Sequence, residues 1–267
     1  MFNATRIKKS TNIEQVEIYQ HLDSTNNRAL ELIRQNKIAA PALIIAEHQT
    51  AGRGQRDRKW WSGEGSLTFS WIPQVDDTIR QNEVPNRLLP IAAALAVSTA
   101  VESLTGMVGI EVKWPNDLTV SGRKLGGILI ESASIGSRTE VVVGIGINVN
   151  NSDCALREVD SLEDRATSAA DATSVLIETN RPIPLEDLLI AVVERLQWEF
   201  ESASIDPDSI VNRCNESLAF IGQTITVISP QTVRLEGRCE GIGSDGGLIL
   251  KTDDGVVTIY SGTISGN

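Results

Sequence analysis

The residue pattern changes after Asn215, and this change constrains the fold more than any other feature of the sequence. Beyond it, short apolar segments alternate with turns rich in Gly, Asp and Ser. Such spacing is typical of a small all-β barrel of ~50 residues. The segments that we assign as strands are Ile221–Ile228, Val233–Ile242, Gly247–Lys251 and Val256–Tyr260. We therefore expect two domains, residues 1–215 and residues 216–267.

The part of the chain before this change combines longer strand and helix patterns. Strands are predicted at Val16–Tyr19, Leu43–Ala46, Ser66–Trp71, Gly109–Trp114, Lys124–Glu131 and Thr139–Asn150. Helices are predicted at Arg28–Asn36, Leu88–Leu104 and Leu185–Ser202. Residues 1–15 are polar, and we expect them to be poorly ordered. Residues 151–182 are also polar and predict a long loop that moves over a ligand.

The composition argues against several classes of protein. A formal net charge of -11 and a pI of about 4.8 disfavour general nucleic-acid binding, which needs a basic surface. Cys154, Cys214 and Cys239 are widely spaced and odd in number, as in reduced cytosolic proteins. The longest apolar run, Ile91–Val97, is far short of the ~20 residues of a membrane span and predicts a buried helix. We expect a cytoplasmic protein that binds neither DNA nor a membrane.

One short segment contrasts with this acidic composition. Residues 52–61 read Gly-Arg-Gly-Gln-Arg-Asp-Arg-Lys-Trp-Trp, with four cations in seven residues. Glycines let the backbone approach a ligand closely, and arginine matches phosphate and carboxylate oxygens. The segment joins two predicted strands, so its Gly-x-Gly is not a dinucleotide fingerprint, which requires a following helix. Taken alone it also fits a solvated basic turn, and its mutual charge repulsion predicts mobility when the site is empty.

Two further patterns allow both a structural and a functional interpretation. Asp23-Ser24-Thr25-Asn26 precedes a predicted helix, where such residues either cap the N-terminus or hold a polar ligand group. Glycines at 126, 127, 144 and 146 interrupt two neighbouring strands, which costs stability. They fit either β-bulges or a surface on which a ligand lies flat. The residues alone leave both alternatives open.

The polar residues favour chemistry on an anion. Arg53, Arg56, Arg58, Lys113 and Lys124 stand in loops or at strand ends around one predicted sheet. Fixed cations there would stabilise a carboxylate that attacks a phosphate. The two histidines have no spacing that suggests a hydrolase triad, and no cluster has metal-ligand spacing.

Five motifs resemble those of the biotin protein ligases, in the order and spacing of that family. They are Asp23-Ser24-Thr25-Asn26, residues 49–54 (Gln-Thr-Ala-Gly-Arg-Gly), residues 113–117 (Lys-Trp-Pro-Asn-Asp), residues 123–131 and residues 143–148. The resemblance runs from about residue 20 to the end of the chain. It implies an α+β fold, with a mixed β-sheet and helices on one side as in class II synthetases and biotin ligases. It also implies that the C-terminal barrel is SH3-like.

The activity of that family implies the chemistry expected here. Biotin and ATP, with Mg²⁺, form biotinyl-5′-AMP and pyrophosphate, and biotin then passes to a lysine on the biotin carrier domain of a carboxylase such as acetyl-CoA carboxylase. The matching positions imply catalytic roles for Lys124, Arg53 and Asp117, with Asp117 as the base for the incoming lysine. The implied biotin-binding residues are Ser24, Thr25, Asn26, Gln49, Gly52, Arg53, Gly54, Gln55, Lys124, Gly127, Leu129 and Gly144. The implied ATP-binding residues are Arg56, Arg58, Trp60, Lys113, Asn116 and Asn148, and Mg²⁺ is expected to arrive with ATP.

Two departures and two alternatives accompany the resemblance. Gln55 stands where the best-known pattern has arginine, so hydrogen bonds replace a charge near the intermediate. The residues before the first motif are too few for a winged helix-turn-helix, which favours a monofunctional ligase. A lipoate or octanoate ligase remains open, although the polar residues Ser24, Thr25 and Gln49 favour biotin. A non-catalytic regulator that binds biotinyl-AMP also remains open, as does a homodimer.

Overall fold

A computed structural model describes residues 2–75, 79, 85–136, 138–152, 172–229 and 234–265. Its larger sheet contains β1 (Gln15–Leu22), β2 (Ala42–Gln49), β3 (Ser66–Ile72), β4 (Ile110–Lys113), β5 (Asp117–Val120), β6 (Arg123–Ile135) and β7 (Arg138–Asn148). The order of the seven strands is β1-β2-β3-β7-β6-β5-β4. The β1–β2 pair is parallel and the other pairs are antiparallel, so the predicted mixed sheet is confirmed.

The helices of the described residues are α1 (Ala4–Ser10), α2 (Thr25–Arg34), α3 (Leu88–Thr105), α4 (Val175–Thr179), α5 (Leu185–Ile205) and α6 (Pro207–Glu216). The sequence predicted α2, α3 and α5 but missed α1, α4 and α6, and α4 lies within the segment 151–182 that was predicted as a loop. The signal for α6 was present, because Pro207 occupies its first turn and the side chain of Asp206 accepts a hydrogen bond from the backbone N–H of Ser209. Residues 153–171, in the predicted mobile loop, lie outside the described part of the chain.

The first residues of the chain form an ordered helix, so the expectation of poor order at residues 1–15 is wrong. The side chain of Asn3 caps α1, and Ile7 is completely buried. Arg6 forms ion pairs with Glu186 and Asp187 at the start of α5, at 2.8 and 2.6 Å. This helix was not predicted because its stabilising contacts lie far along the chain.

Helices cover both faces of the larger sheet, which corrects the expectation that they lie on one side. Alternate residues of a strand point to opposite faces. In β2, Leu43 and Ile45 pack into the core that includes α3 and α5. Their neighbour Ile44 packs instead into a second core with Ala29 and Ile33 of α2. The start of α2 therefore lies over the face of the sheet opposite the main helical layer.

The apolar helix α3 is the centre of the main core. By length and composition it could cross a membrane, with a mean hydropathy of 1.6, but 67% of it is buried inside the protein. Gly106 ends the helix in the left-handed conformation, with φ of 72°. The prediction of a buried helix at this position is confirmed.

The smaller sheet contains β8 (Thr224–Ile228), β9 (Leu235–Ile242), β10 (Leu248–Thr252), β11 (Gly255–Ile259) and β12 (Thr263–Ser265). Its order is β11-β10-β9-β8-β12, and its pairs are antiparallel. The short strands predicted after Asn215 are thus present. The turn between β11 and β12 is important for function, because it reaches the residues 52–61.

Aromatic and basic side chains join the two sheets. The indole Nε1 of Trp114 donates a hydrogen bond of 3.0 Å to the carbonyl of Gly246. The guanidinium of Arg87 lies over the ring of Tyr260, 4.4 Å from its centroid. Trp114 belongs to one of the five motifs. Its side chain is buried, and its bond to Gly246 gives it a structural role as an anchor for the smaller sheet.

Candidate functional site

A cleft of about 980 Å³ opens on the face of the larger sheet that carries α2. Its floor comes from β6 and β7, and its walls come from the start of α2, the loop after β2 and the turn between β11 and β12. Every residue predicted for the site lines this cleft except Asn148. The structure therefore brings together motifs that lie more than one hundred residues apart, such as Ser24 and Gly144.

Residues 52–60 form a small hairpin over the cleft. The backbone N–H of Trp60 donates to the carbonyl of Gly52 at 2.9 Å, and that of Gly54 donates to the carbonyl of Arg58 at 2.7 Å. Gly52 is required here because a Cβ would lie 2.4 Å from the carbonyl oxygen of Trp60. At the tip, Gln55–Asp57 forms a short 3-10 turn, and Gln55 lines the cleft.

The smaller sheet holds the tip of this hairpin. The guanidinium of Arg56 donates to Ser261 at 2.6 Å and to Thr263 at 3.3 Å, and that of Arg58 donates to Thr263 at 3.0 Å. Arg56 also has a left-handed backbone, with φ of 56°, which costs energy in a residue other than glycine. These hydroxyl oxygens hold two of the cations whose mutual repulsion was expected to make the loop mobile in the ligand-free protein. Loop mobility remains a prediction, now with identified anchors.

Lys124 lies at the other side of the cleft, where a tight turn leads from β5 into β6. Its Nζ is 2.7 Å from Oδ1 of Asp117, and both side chains are about three-quarters buried, with 27% and 22% exposed. The ring of Trp60 lies 5.8 Å from the same ammonium. The pair thus places one cation and one carboxylate side by side in the lining of the cleft.

Asn148 lies beside the cleft lining rather than in it. Its amide nitrogen donates to the carbonyls of Thr173 at 3.0 Å and of Lys124 at 3.5 Å. The N–H of Thr173 also donates to the Lys124 carbonyl, at 2.8 Å. These bonds hold the backbone of Lys124 in place, so the geometry favours a supporting role over the expected direct contact with nucleotide.

The start of α2 forms the polar end of the cleft. Gln49 Oε1 accepts from the backbone N–H of Thr25 at 2.8 Å and from its hydroxyl at 3.2 Å. Ser24 occupies the N-cap position without a capping hydrogen bond from its side chain. Within the described residues, the Ser24 hydroxyl and the Nε2 of Gln49 have no protein partner, although both residues are largely buried. Simple capping therefore does not explain Ser24, and these two groups are available to a ligand.

The glycines in the floor make room for side chains of the protein itself. A Cβ on Gly144 would lie 2.3 Å from Oδ1 of Asn26, and one on Gly146 would lie 2.3 Å from the indole of Trp60. The β6–β7 register is continuous through these glycines, so they are not β-bulges in that pair. The register shift lies instead between Leu118 and Thr119, in the β5–β6 pair. Contacts with Asn26 and Trp60 thus give Gly144 and Gly146 a structural reason, and this shift leaves Leu125, the neighbour of Gly126, without a partner. A ligand surface along these glycines stays a prediction.

Glu131 is not part of the cleft lining but contacts two lining residues, Arg53 and Asn26, and no role was predicted for it. Its carboxylate pairs with both terminal nitrogens of Arg53, at 3.1 and 2.5 Å, and accepts from Asn26 at 2.9 Å. The strand period could have found it, because Gly127, Leu129 and Glu131 point to one face. The remaining amide hydrogen of Asn26 donates to the carbonyl of Leu129, at 3.1 Å.

Lys113 and Asn116 line the opposite end from α2. The Nζ of Lys113 lies 5.6 Å from the centroid of the Phe220 ring. Asn116 is tied to β6 in both directions: its amide donates to the carbonyl of Ile128 at 2.6 Å, and its own carbonyl accepts from the N–H of Ile128 at 2.9 Å. The cleft therefore carries polar groups at one end, paired cations in its middle, and an aromatic and basic region at the other end.

Two family models match the chain. A model of the biotin/lipoate A/B protein ligase family matches residues 18–148, and a model of the biotin protein ligase C-terminal domain matches residues 220–265. The first match contains the start of α2, the hairpin and the whole floor of the cleft. The second contains the turn that holds the hairpin tip.

Relatives align over most of their length. The bifunctional ligase/repressor BirA of Bacillus subtilis is 32% identical over 252 residues, which cover 92% of this chain and 73% of BirA. The biotin--[acetyl-CoA-carboxylase] ligase of Paracoccus denitrificans is 31% identical over 234 residues, covering 86% and 91%. The biotin protein ligase from Aquifex aeolicus in complex with biotin and ATP shares the fold, with a TM-score of 0.76 at 24% identity and coverage of 95% and 98%. The chain therefore belongs to the biotin protein ligase family.

Proposed function

We propose that the protein activates biotin with ATP and attaches it to a lysine of a biotin carrier domain. In the first step a carboxylate oxygen of biotin attacks the α-phosphate, which forms biotinyl-5′-AMP and releases pyrophosphate. In the second step the lysine amine attacks the anhydride carbonyl, and the bond to phosphate breaks to release AMP. The reaction is that of the family to which the chain belongs.

The observation that supports this proposal best is the arrangement of free polar groups and paired cations along one cleft. Ser24 and Gln49 offer unpartnered hydrogen-bonding groups at one end, which suits the ureido ring of biotin. Arg53 and Lys124 lie further along and suit the carboxylate and α-phosphate, where charge must be neutralised. Gly127, Leu129 and Gly144 would pack along the ring and chain between them.

The nucleotide is assigned to the aromatic and basic end of the cleft. Trp60 would stack on the adenine, and Arg56, Arg58, Lys113 and Asn116 would contact the nucleotide around it. Mg²⁺ would arrive with the ATP phosphates and offset their charge. Asn148 would act through the backbone of Lys124 and not by direct contact.

Asp117 is proposed as the base for the second step. In the ligand-free protein it is bound to Lys124 at 2.7 Å. When the adenylate phosphate takes the Lys124 ammonium, the carboxylate is released. It can then accept the proton that the carrier lysine loses as its nitrogen bonds to the carbonyl.

A lipoate or octanoate ligase is the second candidate, because the matching family model includes both kinds of enzyme. The acyl tail of octanoate or lipoate has no ureido group to bond with Ser24 and Gln49, which would then stay unpaired and weaken binding. A non-catalytic regulator is less well supported, since it has no need for Lys124 and Asp117.

The rate of pyrophosphate release with different carboxylic acid substrates separates these candidates. Purified protein with ATP and Mg²⁺ is given biotin, octanoate or lipoate at equal concentration. We expect release with biotin to exceed the others by at least a hundredfold, and Ser24→Ala to reduce that preference. Equal release with octanoate would favour the second candidate, and no release with any acid would favour the regulator. We assign the activity to the cytoplasm, where a carboxylase carrier would be the partner.

A further inference from the structure

One carboxylate connects the hairpin over the cleft with the helix start beneath it. Glu131 on β6 accepts two hydrogen bonds from Arg53, at 3.1 and 2.5 Å, and one from the amide of Asn26, at 2.9 Å. Arg53 belongs to the hairpin and Asn26 to the first turn of α2. The three residues are distant in sequence, with separations of 78 and 105 positions. Glu131 is therefore a tertiary link between two parts of the site.

This link differs from an ordinary surface ion pair, which contributes little because both partners are mobile. The Glu131 side chain is only 25% exposed, and Asn26 beneath it is buried. Asn26 is held from three sides, because it also donates to the carbonyl of Leu129 and accepts from the hydroxyl of Ser70 at 2.5 Å. A fixed amide thus orients the carboxylate, and the carboxylate orients the guanidinium in two-pronged geometry.

The geometry leaves Arg53 able to bind a ligand at the same time. Glu131 uses the two terminal nitrogens, and within the described residues the Nε–H edge makes no protein hydrogen bond. The Arg53 side chain is 38% exposed toward the cleft mouth, and its backbone bridges to Lys59 across the hairpin. A guanidinium supported on one edge can present its other edge to a carboxylate or phosphate.

We propose that Glu131 is a positioning residue: it fixes Arg53 for the ligand anion and couples the polar end of the cleft to closure of the hairpin. The ligand assignment within this proposal rests on the proposed function, whereas the coupling of Glu131 to the hairpin does not. Binding of a ureido group beside Thr25 and Gln49 steadies the first turn of α2. Through Asn26 and Glu131, the same turn steadies Arg53 and the hairpin.

The first test needs no ligand and no activity. Amide hydrogen exchange of residues 52–60 is measured in the ligand-free protein for wild type, Glu131→Gln and Arg53→Gln. Glu186→Gln is the matched control, because it breaks another Arg–Glu pair, at 2.8 Å and remote from the cleft. We expect about tenfold faster exchange in the hairpin of both site variants and an unchanged rate in the control. An unchanged hairpin in Arg53→Gln and Glu131→Gln overturns the proposal.

The second test uses the reaction with biotin, ATP and Mg²⁺. Glu131→Gln is expected to raise KM for biotin about tenfold and to leave kcat for transfer from preformed biotinyl-5′-AMP within about twofold, because no atom of Glu131 reacts. In an Arg53→Gln background, Glu131→Gln should change KM for biotin very little if Glu131 acts through Arg53. Additive effects of the two substitutions would overturn the positioning role. If wild type itself forms no biotinyl-5′-AMP, the proposed function fails, while the hydrogen-exchange test still decides the link. Arg53→Gln breaks the same pair from the other side, should Glu131→Gln fold poorly.

Discussion

Lys124 shows how single residues of this cleft are prepared for an anion. Its side chain is largely buried and its Nζ is held by Asp117 at 2.7 Å, so on the proposed function a ligand phosphate would replace one anionic partner with another. Arg53 is held in a similar way, because its guanidinium forms an ion pair with the carboxylate of Glu131. Such preorganised cations need little reorganisation when charge develops on the reacting phosphate.

Replacing Lys124 tests this preorganisation. We expect Lys124→Ala to slow biotin-dependent pyrophosphate release roughly a hundredfold to a thousandfold, since one lost charge-stabilising contact costs about 2.7–4 kcal/mol in the transition state. The side chain lies at the cleft surface, so the thermal unfolding midpoint should stay within a few degrees of wild type. Lys37→Ala, at an exposed position just beyond the C-terminal end of α2, is the control. Release by Lys124→Ala at the wild-type rate would refute the assigned role.

Gly144 tests the explanation of the floor glycines. In Gly144→Ala the new methyl group would lie 2.3 Å from Asn26 Oδ1, and Asn26 is held too firmly to move freely. Overpacking of this kind costs about 1–3 kcal/mol of unfolding free energy, measurable by denaturant titration. We also expect Gly144→Ala to bind biotin more weakly than wild type, as measured by calorimetry. In an Asn26→Ala background the same substitution should cost much less; an equal cost would show that Asn26 is not the residue displaced.

At the scale of elements, the hairpin 52–60 depends on the smaller sheet. Thr263 accepts from both Arg56 and Arg58, and Ser261 accepts from Arg56. The smaller sheet is in turn fixed by the bond between Trp114 and Gly246. The C-terminal sheet is therefore part of the cleft wall, and on the proposed function this wall would keep water from a labile anhydride.

Removing one acceptor tests this dependence. Thr263→Val keeps the shape of the side chain but removes the oxygen that both arginines use. We expect biotinyl-5′-AMP to dissociate about five- to tenfold faster, because a hydrogen bond to a charged group is worth about 1.5–3 kcal/mol when buried and less at a partly exposed site. Dissociation is followed by stopped-flow fluorescence. Thr258→Val on β11 is the matched control; the same rate in both variants would argue against the anchor.

Most elements with a clear local pattern were predicted, although α6 was missed despite its Asp206 cap and Pro207. A continuous apolar run predicted the strand at Leu43–Ala46, alternation predicted the strand at Ser66–Trp71, and the Ala-rich segment Leu88–Leu104 predicted the buried helix. The helices that were missed, such as α1, are stabilised by distant contacts like that of Arg6 with Glu186. The same limit applied to the site: its motifs predicted which residues gather, but not that Arg56 would bind Ser261, 205 positions away. Contacts that depend on how distant parts of the chain pack together cannot be predicted from the spacing of residues in the sequence.

For the whole molecule, burial makes two thiols unreactive. Burial raises the pKa of Cys214 from 9.0 to about 12, and burial also raises the pKa of Cys239. Because the thiolate is the nucleophile, neither should react with iodoacetamide at pH 8 until the protein unfolds. The raised pKa also means that the stability from the protonated Cys214 is complete below about pH 9 and is lost as the pH rises through about 12. Peptide mass mapping checks both thiols; labelling of either one in the native protein would contradict their burial.

The proposed reaction makes biotinyl-5′-AMP in this cleft and passes biotin to a protein lysine. The most direct measurement incubates the purified protein with labelled biotin, ATP, Mg²⁺ and an apo biotin carrier domain, with a carrier whose acceptor lysine is replaced by arginine as the control. We predict incorporation of one biotin per carrier, at that lysine alone, with one AMP and one pyrophosphate released for each biotin transferred. Formation of biotinyl-5′-AMP without transfer, or transfer of octanoate in place of biotin, would contradict the account.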